Sequence, residues 1–164
     1  MTFIDPEGSS TDSEHPPQNV TVGEEWSLSI IDAIERSPLW GSTAIFLTWD
    51  EGGGFYDSIV PPVIDAFGDG FRVPMIVVSP FTEGGGIVST TFDHTSVLKF
   101  IDQNWGLPYL NPRVAETNSL ALAFHFGRMG PDGDLAKGHF LPLSVPIDGS
   151  ILVASSRPGF VSAG

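Results

Sequence analysis

Ala44-Ile45-Phe46-Leu47-Thr48-Trp49-Asp50-Glu51-Gly52-Gly53-Gly54-Phe55-Tyr56-Asp57 reads as a short buried strand that delivers two adjacent carboxylates into a turn of three glycines. The run from Ala44 to Thr48 is too short and too continuously apolar for an amphipathic helix, and Phe, Ile and Thr suit a pleated surface. In open α/β sheets ligands bind beyond the carboxyl ends of the strands, where glycine lets an ion or substrate approach the backbone. Carboxylates leaving a strand side by side can diverge around one cation and supply the hard oxygens that Mg²⁺, Ca²⁺ or Mn²⁺ prefers. Asp and Gly are also the ordinary residues of turns, so this grammar alone leaves a plain loop as the alternative.

The surrounding chain reads as alternating elements. Pro6 to Asn19 is a polar, Pro- and Ser-rich loop. Thr21-Val22-Gly23-Glu24 has capping-box spacing and predicts a helix to about Arg36, with Trp26, Ile30, Ala33 and Ile34 on its apolar face. Pro38 stops that helix, Gly52 to Gly70 is a long loop, and Pro74 to Ser79 is a second buried strand with proline at its first position. After the turn Gly84-Gly85-Gly86, Asp93 or Thr91 caps a helix whose stripe is Val97, Leu98, Ile101 and Trp105, ended by Gly106 and Pro108. The Trp and Phe residues are assigned mostly to the core. His125 falls in a helical apolar run, as a core or helix-end residue, and His139 falls in a loop. A strand, loop, strand, helix order suits an α/β fold. The expected division is residues 1–126 as one domain and residues 127–164 as a tail or a small β extension.

Further elements carry a resemblance. Asp50-Glu51-Gly52-Gly53-Gly54-Phe55-Tyr56-Asp57 followed by Val60-Pro61-Pro62 resembles the signature of the bacterial phosphoesterase family that includes non-haemolytic phospholipases C and related acid phosphatases. Phe3-Ile4-Asp5-Pro6, Glu14-His15-Pro16-Pro17, Ser37-Pro38-Leu39-Trp40, Arg72-Val73-Pro74-Met75, Ser79-Pro80-Phe81 and Asp93-His94-Thr95-Ser96-Val97-Leu98 match in the same order, to about Arg113. The resemblance implies a partial α/β/α sandwich of the alkaline phosphatase superfamily and metal-assisted hydrolysis of a phosphate ester or phospholipid. It implies metal ligation by Asp50 and Glu51, with the divalent ion Ca, Mg, Mn or Zn, and a role at phosphate for His15 and secondarily His94. In such enzymes the Ser or Thr nucleophile and an Asn-containing acidic motif precede the matched region. This chain is therefore expected to be a carboxyl-terminal portion, completed by an amino-terminal portion or an oligomer, in a family often secreted or periplasmic. The family pattern places a His after Tyr-Asp where this chain has Ser58, so no imidazole is supplied there.

Composition bounds the rest. The 164 residues are 41% hydrophobic with 19 Gly and 14 Pro, enough for a core with many turns. The net charge of -13, from 20 acidic and 7 basic residues, argues against nucleic acid or an anionic membrane as an unaided partner. It also repels phosphorylated substrates unless a cation intervenes. Without cysteine there is neither a disulfide nor a thiolate nucleophile. No run is long enough to span a bilayer, and no Walker, Rossmann, Gly-x-Ser-x-Gly or His-Glu-x-x-His pattern occurs. Two other readings remain alongside hydrolysis: a catalytically inert scaffold or cation-binding domain, and an acidic loop serving only as a structural calcium clip.

Overall fold

The computed structural model describes residues 1–6, 11–82 and 86–125, together with the backbone of 149–154. The elements are α1 (Val20–Glu35), β1 (Ile45–Thr48), β2 (Met75–Val78), β3 (Gly86–Thr90), α2 (Thr95–Trp105), α3 (Pro112–Glu116) and β4 (Gly149–Ala154), with short 3₁₀ turns at Trp40–Ser42 and Leu120–Ala123. Helices and one sheet make the α/β fold that the sequence predicts. No helix among the described residues is long and apolar enough to cross a membrane.

The sheet order is β1-β2-β4-β3. β1 and β2 are antiparallel, with Phe46 opposite Val77 and Thr48 opposite Met75, so the two strands form a wide hairpin. β2 runs parallel to β4, and β4 antiparallel to β3, which makes the sheet mixed. β3 was not anticipated: its strand partner is β4, sixty residues downstream, a pairing that no local pattern announces. The tight turn read at Gly84-Gly85-Gly86 falls largely outside the described residues, as do His139 and most of 127–164.

The core lies between one face of this sheet and α2. Val77, Phe81, Phe100, Leu120, Ala123 and Phe124 are buried together, with Phe46 and Val88 packed against them. Three rings organise it: Phe46 meets Phe100 and Phe124 edge-on at 5.1 and 5.9 Å, and Phe100 stacks on Phe124 at 5.2 Å. Each such pair contributes about 0.5–1.5 kcal/mol beyond the area it buries. The residue of α2 that enters this core is Phe100, whereas Trp105, placed on the apolar stripe by its spacing, is exposed. The assignment of Trp and Phe residues mostly to the core is likewise corrected at Phe3, Phe55, Phe67 and Phe71, which are exposed.

Local signals at the helix ends are mostly as read. Gly106 ends α2 at φ 64°, a left-handed conformation that glycine takes without strain, and its N–H and that of Leu107 donate to the Asp102 carbonyl. Asp93 caps the other end through Oδ1, which accepts from the Thr95 and Ser96 amides at 2.7 and 3.2 Å. For α1 the cap is Asn19, not Thr21: the Asn19 side chain accepts from the Thr21 amide at 3.1 Å. Asn is as good a cap as Ser or Thr, and its extended backbone directs the chain out of the loop. His125 ends the final 3₁₀ turn, exposed, with its amide donating to the Phe81 carbonyl.

Gly23 is the buried residue of α1, and the reason is contact. A Cβ there would stand 2.4 Å from Glu14 Cγ and 3.1 Å from the Asp12 carbonyl oxygen. The loop that carries Glu14 and His15 therefore lies directly on the first turn of the helix. In Gly23→Ala the gain in helix propensity of about 1 kcal/mol opposes overpacking of about 1–3 kcal/mol. Because backbone as well as side chain must move, overpacking wins: the melting temperature falls, and Trp49 fluorescence reports a loosened Glu14 loop. An unchanged or raised melting temperature would contradict this contact.

Candidate active site

The acidic turn sits at the carboxyl end of β1, where the chain leaves the sheet. Thr48 Oγ1 donates to the Pro74 carbonyl at 2.9 Å and closes the hairpin at that point. Beyond it, Gly53 and Gly54 adopt φ 64° and 75°, and the Phe55 amide donates to the Gly52 carbonyl, so the triple glycine makes a tight reversal that side chains would strain. Glu51 folds back into this turn, its Oε2 accepting from the Gly53 amide at 2.9 Å.

The His-Pro-Pro loop closes over the turn. His15 Nε2 lies 3.3 Å from Glu51 Oε1, and a Cβ on Gly53 would come within 3.2 Å of Pro16 Cδ. The other imidazole nitrogen, Nδ1, is 2.8 Å from the Pro16 carbonyl. A carbonyl only accepts, so Nδ1 carries a proton in that contact, and Nε2 pairs with the Glu51 carboxylate when it too is protonated. The loop is fastened by Trp49, whose Nε1–H donates to Glu14 Oε2 at 2.8 Å across 35 residues of chain. Glu14 and Trp49 were missed as positioning residues; their signal was adjacency, since each immediately precedes a candidate site residue.

His94 approaches from α2. Its Nε2 is 2.8 Å from the Trp49 carbonyl and therefore donates to it, which brings α2 against the residue preceding Asp50. The amino end of α2 is satisfied from within: Asp93 takes the first amides, and Ser96 Oγ meets Thr117 Oγ1 at 3.0 Å. The geometry thus gathers Glu51 and His15 in direct contact, with His94 linked to the same strand end through backbone. Asp50 is exposed at the start of the turn.

As a cation centre the site has suitable donors and too few of them. Two adjacent carboxylates are hard oxygen ligands, but no group of three or more His, Asp or Glu side chains among the described residues is placed to hold a metal ion. Both Glu51 oxygens already have partners, and a divalent ion takes six or more ligands in an oxygen site. The described residues therefore do not complete a metal site.

The loop beyond the turn is held by ion pairs. Arg72 grips Asp57 with Nε at 2.7 Å and Nη2 at 2.8 Å, a bidentate fork. The Arg72 side-chain hydrogen bonds, followed by the Ile59 amide, hold the Asp57 carboxyl far below the usual carboxylate range. Arg113 bonds Asp69, Asp65 (3.1 Å) and the Gly68 carbonyl (3.1 Å), and its Nε lies 3.7 Å from Asp93 Oδ2. Burial weighs against its charge, and the hydrogen bond that Arg113 donates to Asp65 and the fields of Asp69, Asp65 and Asp93 outweigh that, raising its pKa. A cavity of about 290 Å³ opens beside it, lined by residues such as Ile64, Thr91, Phe92 and Asn118, and it includes none of Asp50, Glu51 and His15.

The site is thus a strand-end acidic turn under a His-Pro-Pro loop, carried on an α/β sheet. The chain belongs to the phosphoesterase family: the model of that family matches residues 1–108. It is 34% identical over 155 residues to the non-hemolytic phospholipase C of Burkholderia pseudomallei, covering 74% of this chain and 22% of that one. It is 33% identical over 150 residues to the non-hemolytic phospholipase C of Pseudomonas aeruginosa, covering 70% and 22%. Phospholipase C B of Mycobacterium tuberculosis is 35% identical over 145 residues, covering 70% and 27%. The chain thus spans about a quarter of the length of the curated relatives it matches.

The Asp57–Arg72 fork has a pH signature. Because the folded Asp57 carboxyl is depressed, its contribution to stability is fully present above the ordinary carboxylate value of 3.8 and is lost as pH falls below that value toward the folded one. Asp57→Asn is therefore less stable than the parent at pH 6, and the difference shrinks as both are titrated from pH 4 downward. Urea melts at pH 6, 4 and 3 measure this; a difference independent of pH would show that the fork is not an ionic contact.

Proposed function

We propose that this chain contributes the acid and imidazole half of a site that hydrolyses phosphate esters, a phospholipid head group or a phosphomonoester among them. The observation that carries the reading is the Glu51–His15 contact at the carboxyl end of β1, in a chain of the phosphoesterase family. An imidazole held by a carboxylate suits two tasks at a phosphoryl centre, offsetting charge on a non-bridging oxygen and giving a proton to the leaving oxygen. Asp50 and Glu51 are proposed as two oxygen ligands of a divalent cation whose remaining ligands lie outside the described residues. The names of the relatives, phospholipase C in each case, support the substrate class.

Phosphoryl transfer depends on bringing nucleophile, positive charge and proton donor together. On this reading the nucleophile belongs to another segment, an amino-terminal portion of a longer chain or a second subunit. A single observation favours the rival reading of an inert scaffold: no group of three or more His, Asp or Glu side chains among the described residues is placed to hold a metal ion.

Two measurements separate these. A cation binding only the folded protein stabilises it by about 2.7 kcal/mol at one hundred times Kd, so in this chain assembled with the remainder of a phosphoesterase-family polypeptide saturating Mn²⁺ or Ca²⁺ is expected to raise the melting temperature by several degrees. Asp50→Asn and Glu51→Gln are each expected to abolish most of that rise. Assembled with the remainder of a phosphoesterase-family chain, hydrolysis of an aryl phosphate is expected to fall at least 100-fold in His15→Ala. Cation-independent melting, or full activity in His15→Ala, would sink the proposal.

A further inference from the structure

The loop between β1 and β2 is inverted in polarity. In its 55–71 stretch Tyr56, Val60, Val63 and Phe67 are 86%, 85%, 88% and 95% exposed, whereas the three carboxylates of that stretch, Asp57, Asp65 and Asp69, turn toward Arg72 and Arg113. A loop free in water does the reverse, solvating its charges and folding its apolar groups inward. Nor is this a slack segment whose side chains could collapse. Asp65 Oδ1 accepts from the Phe67 and Gly68 amides at 2.8 and 3.1 Å, and the Asp69 amide donates to the Pro62 carbonyl. The Arg72 fork ties the ends of the loop together, and Arg113 ties its tip to α2 and α3. The backbone is thus built to hold apolar groups outward, and an exposed apolar patch so built marks an interaction surface.

We infer that the outward face of the 55–71 loop is a docking surface for the remainder of a phosphoesterase-family polypeptide. Two facts select that occupant. The curated relatives are about four times as long as the segment this chain matches, so each carries a large body of chain outside that segment. The loop also begins at the turn that holds Glu51 against His15, so whatever seats on it borders the site and is positioned to supply the groups the site lacks. Charge agrees: with its carboxylates neutralised by arginine, the face presents no free cation or anion for a polar partner to recognise, and apolar contact is what it offers. The inference rests on the reading that other segments complete the site, and adds which surface receives them.

The test compares the isolated chain with a chimaera in which this chain replaces its matching segment in the Burkholderia pseudomallei relative. Val63→Glu and Phe67→Glu together are expected to leave the isolated chain's melting temperature within a degree of the parent, because both side chains already stand in water. In the chimaera the same pair is expected to lower the yield of folded protein or its melting temperature sharply, and the native-loop chimaera is expected to bind a hydrophobic dye at least fivefold less than the isolated chain. A chimaera that folds no better with the native loop than with the charged one overturns the proposal. So does an isolated chain that sediments as a dimer dispersed by these variants, or that floats with phosphatidylcholine vesicles until they are introduced, since the occupant is then a second copy or a lipid surface. Glu51→Gln in the chimaera keeps the two readings apart: folding retained with hydrolysis unchanged removes the catalytic proposal and leaves the docking face standing.

Discussion

A single guanidinium ties together the parts of this molecule that the sheet does not. Arg113 reaches Asp65 and Asp69 in the loop between β1 and β2, the Gly68 carbonyl, and Asp93 at the cap of α2. The constraint behind it is charge supply. With 7 basic residues for 20 acidic ones cations are scarce, and among the described residues Arg113 serves several acceptors at a junction. Lys99 follows the same logic, donating to the Ala115 and Thr117 carbonyls at 2.8 and 2.6 Å and so closing the end of α3 against α2, with Tyr109 beneath its ammonium at 5.5 Å. Arg72 is committed wholly to Asp57.

These junctions place the candidate site. Asp93 is held by Arg113 on one oxygen and caps α2 with the other, which orients the first turn of the helix and carries His94 onto the Trp49 carbonyl. Trp49 in turn binds Glu14, and the Glu14 loop sets His15 on Glu51. The sequence of contacts runs from a basic residue at position 113 to an imidazole at position 15 through side chains and the backbone groups they bind. It brings a carboxylate and an imidazole together at the end of β1.

Against this order stands the apolar surface that the same loop turns outward. The core formed by Phe46, Val77, Phe100 and Phe124 closes one face of the sheet, and among the described residues α1 adds no side chain to it. Glycine at position 23 shows that α1 earns its place by receiving the Glu14 loop. Membership of a family whose curated phospholipases are about four times as long gives that exposed surface a physical role.

What the amino-acid sequence determined by itself was whatever is local. The apolar runs at Ile45–Thr48 and Met75–Val78, the Gly106 stop of α2, the reversal at Gly52 to Gly54 and the family motifs are each written within a few consecutive residues. The ends of α1, and of α2 as read from Asp93, were legible to within two residues, α3 was not anticipated, and Asn19 displaced Thr21 as the cap because neighbouring polar side chains compete for the same amides. The tertiary structure alone decided the rest. The Glu14–Trp49 bond spans 35 positions and Arg113 reaches back 48 to Asp65, and such pairings depend on which surfaces meet, not on spacing. The same holds for Phe100 entering the core while Trp105 stays in water: periodicity marks a face, and only packing chooses which of its residues are covered.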